Sequence, residues 1–466
     1  MLQRRPVALT AQFASIFRRG GRAGGKATRN AWSVQPVSAV AAVRRRLRPY
    51  ARTGLLALLT CLIAWVTFAP PYTTRYDGPP IRSDGVGYHV WTRAILNGEL
   101  SFCEWRGAIE NFVSRTDAGR KFCQNKYPPG LALVRLPIMG FLVERHPANL
   151  RAITPREHQA SLILGGLYLW LQAALMLLTA AQLRLRAFRT SLAVLLTLFG
   201  TAIFHWGTYD STFTHAYTSF FCELLLFLAL REHALQKPMP SLLIALAAFC
   251  LVAIRNTNVL MLAELTLAYV LWRPLPGVKL LRSRILPVVL GAGAFISWQL
   301  AYNYLASGSL AASSYGEEGF IWDRPMQWSV MFSYERGLFT YFPLFGVAVV
   351  SGLCVPSARK ATWLLLALIG TYVGLYGFWH SWMLGDGMGH RGFVDFAPVV
   401  ALVLCLAWQR MHGWALAVSV LAAVLSTAVT LQIMLGYWDT SFPTIGATRN
   451  HYWTQLRKLP SEFRTH

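Results

Sequence analysis

The chain has 466 residues, 55% of them hydrophobic and only 14% charged. A soluble fold of this size cannot hide so much apolar surface, and several separate runs approach the roughly 20 residues that cross a bilayer core. The net charge of +24 comes from 44 Lys and Arg against 20 Asp and Glu. These cations lie in the N-terminal region and in short connections between apolar runs, the positive-inside pattern, with no interleaved stacking platform that would suit nucleic acid.

Residues 1–50 run from Arg4 to Arg48 with basic residues and no acid, and Gly20, Gly21, Gly24 and Gly25 loosen them. This composition predicts a disordered cytoplasmic tail lying near anionic lipid. The first apolar run starts too late for a signal peptide. A first span is predicted over 53–70, which puts the following polar loop outside.

That loop, 71–143 with its apolar end, is the longest water-compatible stretch and carries Asp84, Glu99, Glu104, Glu110 and Asp117. Its last part, 129–143, holds Arg135 and Pro137 and is short for a span. Read as an interfacial helix, it returns Arg184, Arg186 and Arg189, and four later basic connections, to the cytoplasmic side. Further spans are then predicted over 158–182, 188–207, 216–232, 241–254, 258–272, 285–305, 337–355, 361–380, 394–409 and 413–436. The fold class is therefore all-α and polytopic, with about eleven transmembrane helices over 51–436. Residues 437–466 form an outer C-terminal tail, in which Arg449, Arg457 and Lys458 fit the charge rule poorly.

Cys103 and Cys123 share the outer loop and could be bridged in an oxidising compartment; the other five cysteines lie in apolar runs as small core residues. No Cys/His cluster has structural-metal spacing.

The outer segments collect Asp84, Lys126, Asp210, Arg255, Arg391, several histidines and many Trp and Tyr. Such a mixture suits a lipid-linked anion and a polar ring: arginine offers forked donors to phosphate, aromatic faces stack on sugars, and a carboxylate can take a hydroxyl proton. Each residue also has a plain alternative. Asp84 could be a turn former between Ser83 and Gly85, and Asp210 a helix cap. Lys126 and Arg391 could snorkel. An arginine at the depth of Arg255 is costly unless paired or wet. Glu317 and Glu318 read as solvated loop charges. Tyr334, Arg336, Trp379 and Trp382 suit an interfacial aromatic and basic belt as well as substrate contact, and His380 and His390 read as interfacial histidines rather than metal ligands.

Taken in order, Ser83-Asp84-Gly85, Tyr88, Asn125-Lys126-Tyr127-Pro128-Pro129-Gly130, Asp210, Arg255-Asn256-Thr257-Asn258 and Gly389-His390-Arg391-Gly392-Phe393-Val394-Asp395 resemble the bacterial membrane glycosyltransferases of the C-type (GT-C) superfamily. These are relatives of the protein O-mannosyltransferases and the lipid A aminoarabinose transferase. The resemblance covers about residues 50–410. It implies an inverting transfer from a polyprenyl-phosphate sugar to an acceptor hydroxyl on a glycan, glycolipid or protein, at the outer face of a bacterial inner membrane. It implies catalytic roles for Asp84 and Asp210, and donor phosphate binding by Arg255, Arg391 and Lys126. Tyr88, Tyr127, His380, Trp382 and His390 become the candidate substrate contacts. Gly130 stands where mannosyltransferase relatives often carry Leu. Sugar, acceptor and any divalent cation stay open, and a transporter or flippase of a lipid-linked sugar is the rival class, although no internal repeats favour it.

Overall fold

A computed structural model describes residues 50–68, 80–105, 113–115, 122–145, 152–235, 239–272, 281–311, 314–315 and 318–459. The basic N-terminal tail up to residue 49, Glu110, Asp117, Glu317 and residues 460–466 lie outside the described residues.

The described residues are overwhelmingly helical, as an apolar chain must be where lipid leaves backbone N–H and C=O groups no other partners. Five helices are long and apolar enough to cross a membrane: Tyr50–Phe68, Pro155–Gln182, Ser283–Ser307, Arg391–Arg410 and Gly413–Trp438. Shorter apolar helices cover Ala187–Gly200, Ser241–Ile254, Asn258–Trp272 and Leu344–Leu353. Leu58, Trp65, Leu178, Leu290, Leu421 and Leu425 point outward and are exposed, a lipid-facing surface that water would not tolerate. The protein is a helical membrane protein.

We label α1 (Tyr50–Phe68), α2 (Asp84–Asn97), α3 (Gly130–Met139) and α4 (Pro155–Gln182). Arg52 near the start of α1 donates to the Leu185 carbonyl beyond α4 (3.3 Å), and Gln159 near the start of α4 donates to Thr67 at the end of α1 (3.5 Å). The two helices therefore run antiparallel.

Two predicted spans are interrupted. The 188–207 stretch divides at Thr201–Ala202, where Ala202 is left-handed (φ 56°), into α5 (Ala187–Gly200) and α6 (Ile203–Thr208). The 337–355 stretch divides at Phe342–Pro343, because proline lacks an N–H and pushes the preceding residue out of helical geometry.

The start of α2 also differs from the sequence reading. Asp84 is not in a free turn; it opens a helix that Gly85 and Gly87 disguise in the sequence. Ser83 before it has φ 46° and ψ −137°, and Gly85 donates to the Arg82 carbonyl (2.9 Å). That is a tight turn normally given to glycine, and such strain costs on the order of 1–3 kcal/mol.

The segment between α1 and α4 ties α2 in place. Thr154 and Glu157 cap α4 reciprocally, with Pro155 opening the helix. Glu157 then accepts both contacts from Arg93 on α2 (3.1 Å each) and lies 3.3 Å from His89. Arg93 and Glu157 are wholly buried, so this pair fixes α2 on α4. Val113–Arg115 and Cys123–Asn125 pair as antiparallel strands, Ser114 opposite Gln124. Cys103 and Cys123 are bonded as a disulfide, Cα atoms 4.8 Å apart.

At 10 residues, about 15 Å, α3 cannot cross a core of about 30 Å alone. Its Arg135 is buried and donates to Ser161 on α4. Gly130 sits against the backbone before Arg255: a methyl there would lie 2.1 Å from the Ala253 carbonyl carbon. No side chain fits, which accounts for glycine at this position. Gly130→Ala is expected to displace the Arg255 turn and lower the melting temperature. An unchanged melting curve would refute this packing.

Candidate functional site

Polar segments from distant parts of the chain meet at one end of the bundle. Asp84 is brought there by α2, and its Oδ2 accepts from Nη2 of Arg391 at 2.8 Å. The Tyr127 hydroxyl also donates to the Asp84 carboxylate. Tyr127 is held by its own segment: Asn125 Nδ2 donates to the Gly87 carbonyl (2.9 Å), Trp91 Nε1 to the Tyr127 carbonyl (2.7 Å), and Tyr88 packs on the Tyr127 ring at 4.4 Å. Thus Asn-Lys-Tyr-Pro-Pro-Gly is strapped along α2, and its tyrosine faces the acid.

Burial alone would raise the Asp84 carboxyl, but the charge of Arg391 and the hydrogen bonds from Tyr127 and Arg391 outweigh it and hold the carboxyl below its ordinary value. Arg391 also lies over the Phe213 ring at 5.3 Å.

Beyond α7 (His215–Leu235), Arg255 ends α8 (Ser241–Ile254), and the turn to α9 (Asn258–Trp272) is clamped by Tyr372, which donates to the Thr257 carbonyl (3.0 Å). Its guanidinium donates to Asp395 Oδ2 at 3.1 Å, and His215 Nδ1 lies 2.9 Å from Asp395 Oδ1. Asp395 is fully buried. Arg255 and Arg391 are close enough to repel each other. Two Arg–Asp pairs thus stand side by side, one part-exposed and one anchored.

Lys126 is engaged by a segment the sequence marked as solvated. Its Nζ contacts Glu318 at 2.5 Å and lies 4.9 Å from the Tyr315 ring, while Ser314 donates to the Lys126 carbonyl (2.8 Å). Half-exposed His380 is 3.4 Å from the other Glu318 oxygen.

Asp210 has its own partners. Its Oδ1 accepts from Arg82 at 2.6 Å, and Oδ2 lies 2.9 Å from His205 Nε2. Trp438 Nε1, a donor only, gives its proton to His205 Nδ1 (2.8 Å), so that imidazole is neutral with its proton toward Asp210. Both Asp210 oxygens are committed, and the residue is 2% exposed. His390 is likewise wholly buried: Nε2 donates to the Trp382 carbonyl (2.9 Å), and burial lowers the imidazole to about 3. Trp382 offers this carbonyl while its ring packs at the margin of the core.

Of the residues singled out in the sequence, Asp84, Tyr88, Lys126, Tyr127, Arg255 and Arg391 come together. Asp210 and His390 are engaged in buried contacts of their own, and His380 touches the group through Glu318. Sequence reasoning gave no role to Asp395, His215, Tyr315 or Arg82. The first carried a signal, standing one helical turn beyond Arg391; the others carried none. Among the described residues no group of three or more metal-ligating side chains gathers. No protein-family model matches the chain, and no curated protein matches it significantly.

Proposed function

We propose that the chain is an inverting membrane glycosyltransferase of the C-type superfamily, moving a sugar from a polyprenyl-phosphate donor to an acceptor hydroxyl. The reading rests on one observation above all, a part-exposed carboxylate from residue 84 held against a phosphate-competent guanidinium from residue 391. Asp84 and Arg391 form the resting pair. A donor phosphate takes the Arg391 fork, joined by Arg255 and by Lys126 once Glu318 yields it. Losing its cation, Asp84 becomes more basic. The acceptor oxygen bonds to the anomeric carbon, its proton passes to Asp84, and the carbon–oxygen bond to phosphate breaks with its electron pair going to the clamped phosphate.

Asp210 is a positioning residue in this scheme, tying the turn before Asp84 to α6. In the same reading all eleven helical stretches cross a bacterial inner membrane, α3 lies in the interface, and the site faces the periplasm or exterior. The Cys103–Cys123 bond suits an oxidising outer compartment. Lys458 fits an outer C-terminal segment because Asp439 neutralises it at 2.6 Å.

The test is reconstitution with polyprenyl-phosphate sugars and measurement of released polyprenyl phosphate. Movement of labelled lipid across the bilayer without release would establish a flippase instead. Arg391→Ala is expected to raise the donor KM about tenfold or more, the scale of a lost charged hydrogen bond, with little change for acceptor. Equal losses for both substrates would remove Arg391 from the phosphate site.

A further inference from the structure

The scheme above leaves a third arginine unused. Arg336 is 1% exposed. Its Nη2 donates to the Thr444 carbonyl and lies 3.4 Å from Asp386 Oδ1. Its Nε and Nη1 have no hydrogen-bond partner among the described residues. Buried donors without acceptors are costly, more so on a charged group. Arg391 compounds the cost by facing Arg336 with like charge.

One loop runs between the two guanidinium groups. A methyl at Gly385 would stand 3.8 Å from Nη2 of Arg391, and one at Gly387 would stand 3.9 Å from Nη1 of Arg336. Gly385, Gly387 and Gly389 all have positive φ (71°, 138° and 60°). A side chain at Gly387 would first meet the Trp206 ring (2.8 Å), so Trp206 and Asp386 border the ground beside the arginines and glycine keeps further side chains out of it. Gly385 and Asp386 are exposed, so the loop reaches solvent at that end, while Gly387, Met388 and Gly389 are buried. The Asp386 side chain is 49% exposed and its contact with Arg336 is long, so it can swing away.

We propose that Arg336, Arg391 and the Gly385–Gly389 loop form a seat for a second oxyanion, a phosphate or carboxylate, whose place Asp386 holds when it is empty. The seat stands on this geometry. Its assignment to a substrate rests on the transfer reading: either the donor is a diphosphate, or the acceptor carries an acidic group beside the attacking hydroxyl.

Full-length protein in lipid nanodiscs would be titrated calorimetrically with inorganic phosphate, farnesyl monophosphate and farnesyl diphosphate. Asp386→Ala, which removes a competing carboxylate, is expected to tighten oxyanion binding about tenfold, and Arg336→Lys to weaken it about tenfold. If the second group belongs to the donor, both changes act on the diphosphate and spare the monophosphate. If it belongs to the acceptor, both lipids bind alike, and inorganic phosphate binds on top of the monophosphate in an Arg336-dependent way. Wild-type binding of all three probes by both variants would overturn the seat and leave Arg336 a clamp on Thr444. Should Arg336→Lys fail to fold, Asp386→Ala decides alone, since an exposed side chain can be removed without unfolding; absence of tightening overturns the proposal. Polyprenyl phosphate release is read separately. Arg336-dependent anion binding without release would sink the transfer reading while leaving the seat standing.

Discussion

Asp84→Asn is expected to cut transfer by about 10²- to 10⁴-fold, the usual contribution of a positioned general base, while the protein still folds and inserts. The amide keeps nearly the same shape and can still accept from Tyr127. What it loses is the charge facing Arg391 and the ability to take a proton. Both members of that pair keep some contact with solvent, at 23% and 14%, and Arg391 still lies over the Phe213 ring, so the loss to stability is smaller than the about 3–5 kcal/mol of breaking a fully buried pair. The rate effect therefore separates from folding. Full activity in a variant with a normal melting curve would show that the base lies elsewhere.

The same pair sets a pH signature. The Asp84 carboxyl is depressed in the folded protein by Arg391 and Tyr127 despite burial. Its contribution to stability is then present above the unfolded value near 4 and is lost as pH falls through the lower folded one. The free protein's acid limb, seen in kcat/KM, should lie below about pH 4. Once donor phosphate occupies Arg391, the carboxyl relaxes upward, and the acid limb of kcat should lie at higher pH. Coincident limbs would mean that donor binding does not disturb the pair.

What could be read from the sequence, and what could not, follows from the range of the forces involved. Each stretch predicted as a span contains helix, because apolar runs in lipid have few backbone options. The interruptions were harder. Pro343 announces one, whereas Ala202 adopts a left-handed turn that its residue type does not advertise. Asp84 and Arg391 stand out as polar residues beside apolar runs, yet their contact spans 307 positions and no local pattern encodes it. Glu318 looked like a solvated charge because its partner, Lys126, is 192 residues away. Asp210 looked as catalytic as Asp84. Only the positions of Arg82, His205 and Trp438 reveal that each of its oxygens already has a buried partner.

Asp395→Ala is expected to behave in the opposite way to Asp84→Asn, losing stability and activity together. Asp395 is the buried counter-ion of Arg255 and the partner of His215, and its removal leaves a guanidinium with far less compensation. Breaking such a pair on one side costs about 3–5 kcal/mol, enough to lower the yield of folded protein. Removing both charges tests what the pair is for. Arg255→Met with Asp395→Asn keeps nearly the same volume without an ion, and uncharged replacements of buried pairs are often neutral or stabilising. The double variant should thus recover much of the lost thermal stability. It should not recover donor binding, because the second phosphate-gripping cation is gone. If donor affinity returns along with the fold, Arg255 serves packing alone, and Arg391 and Lys126 hold the phosphate without it. If neither returns, His215 needs the Asp395 carboxylate in its own right, and the turn between α8 and α9 is held from the histidine side.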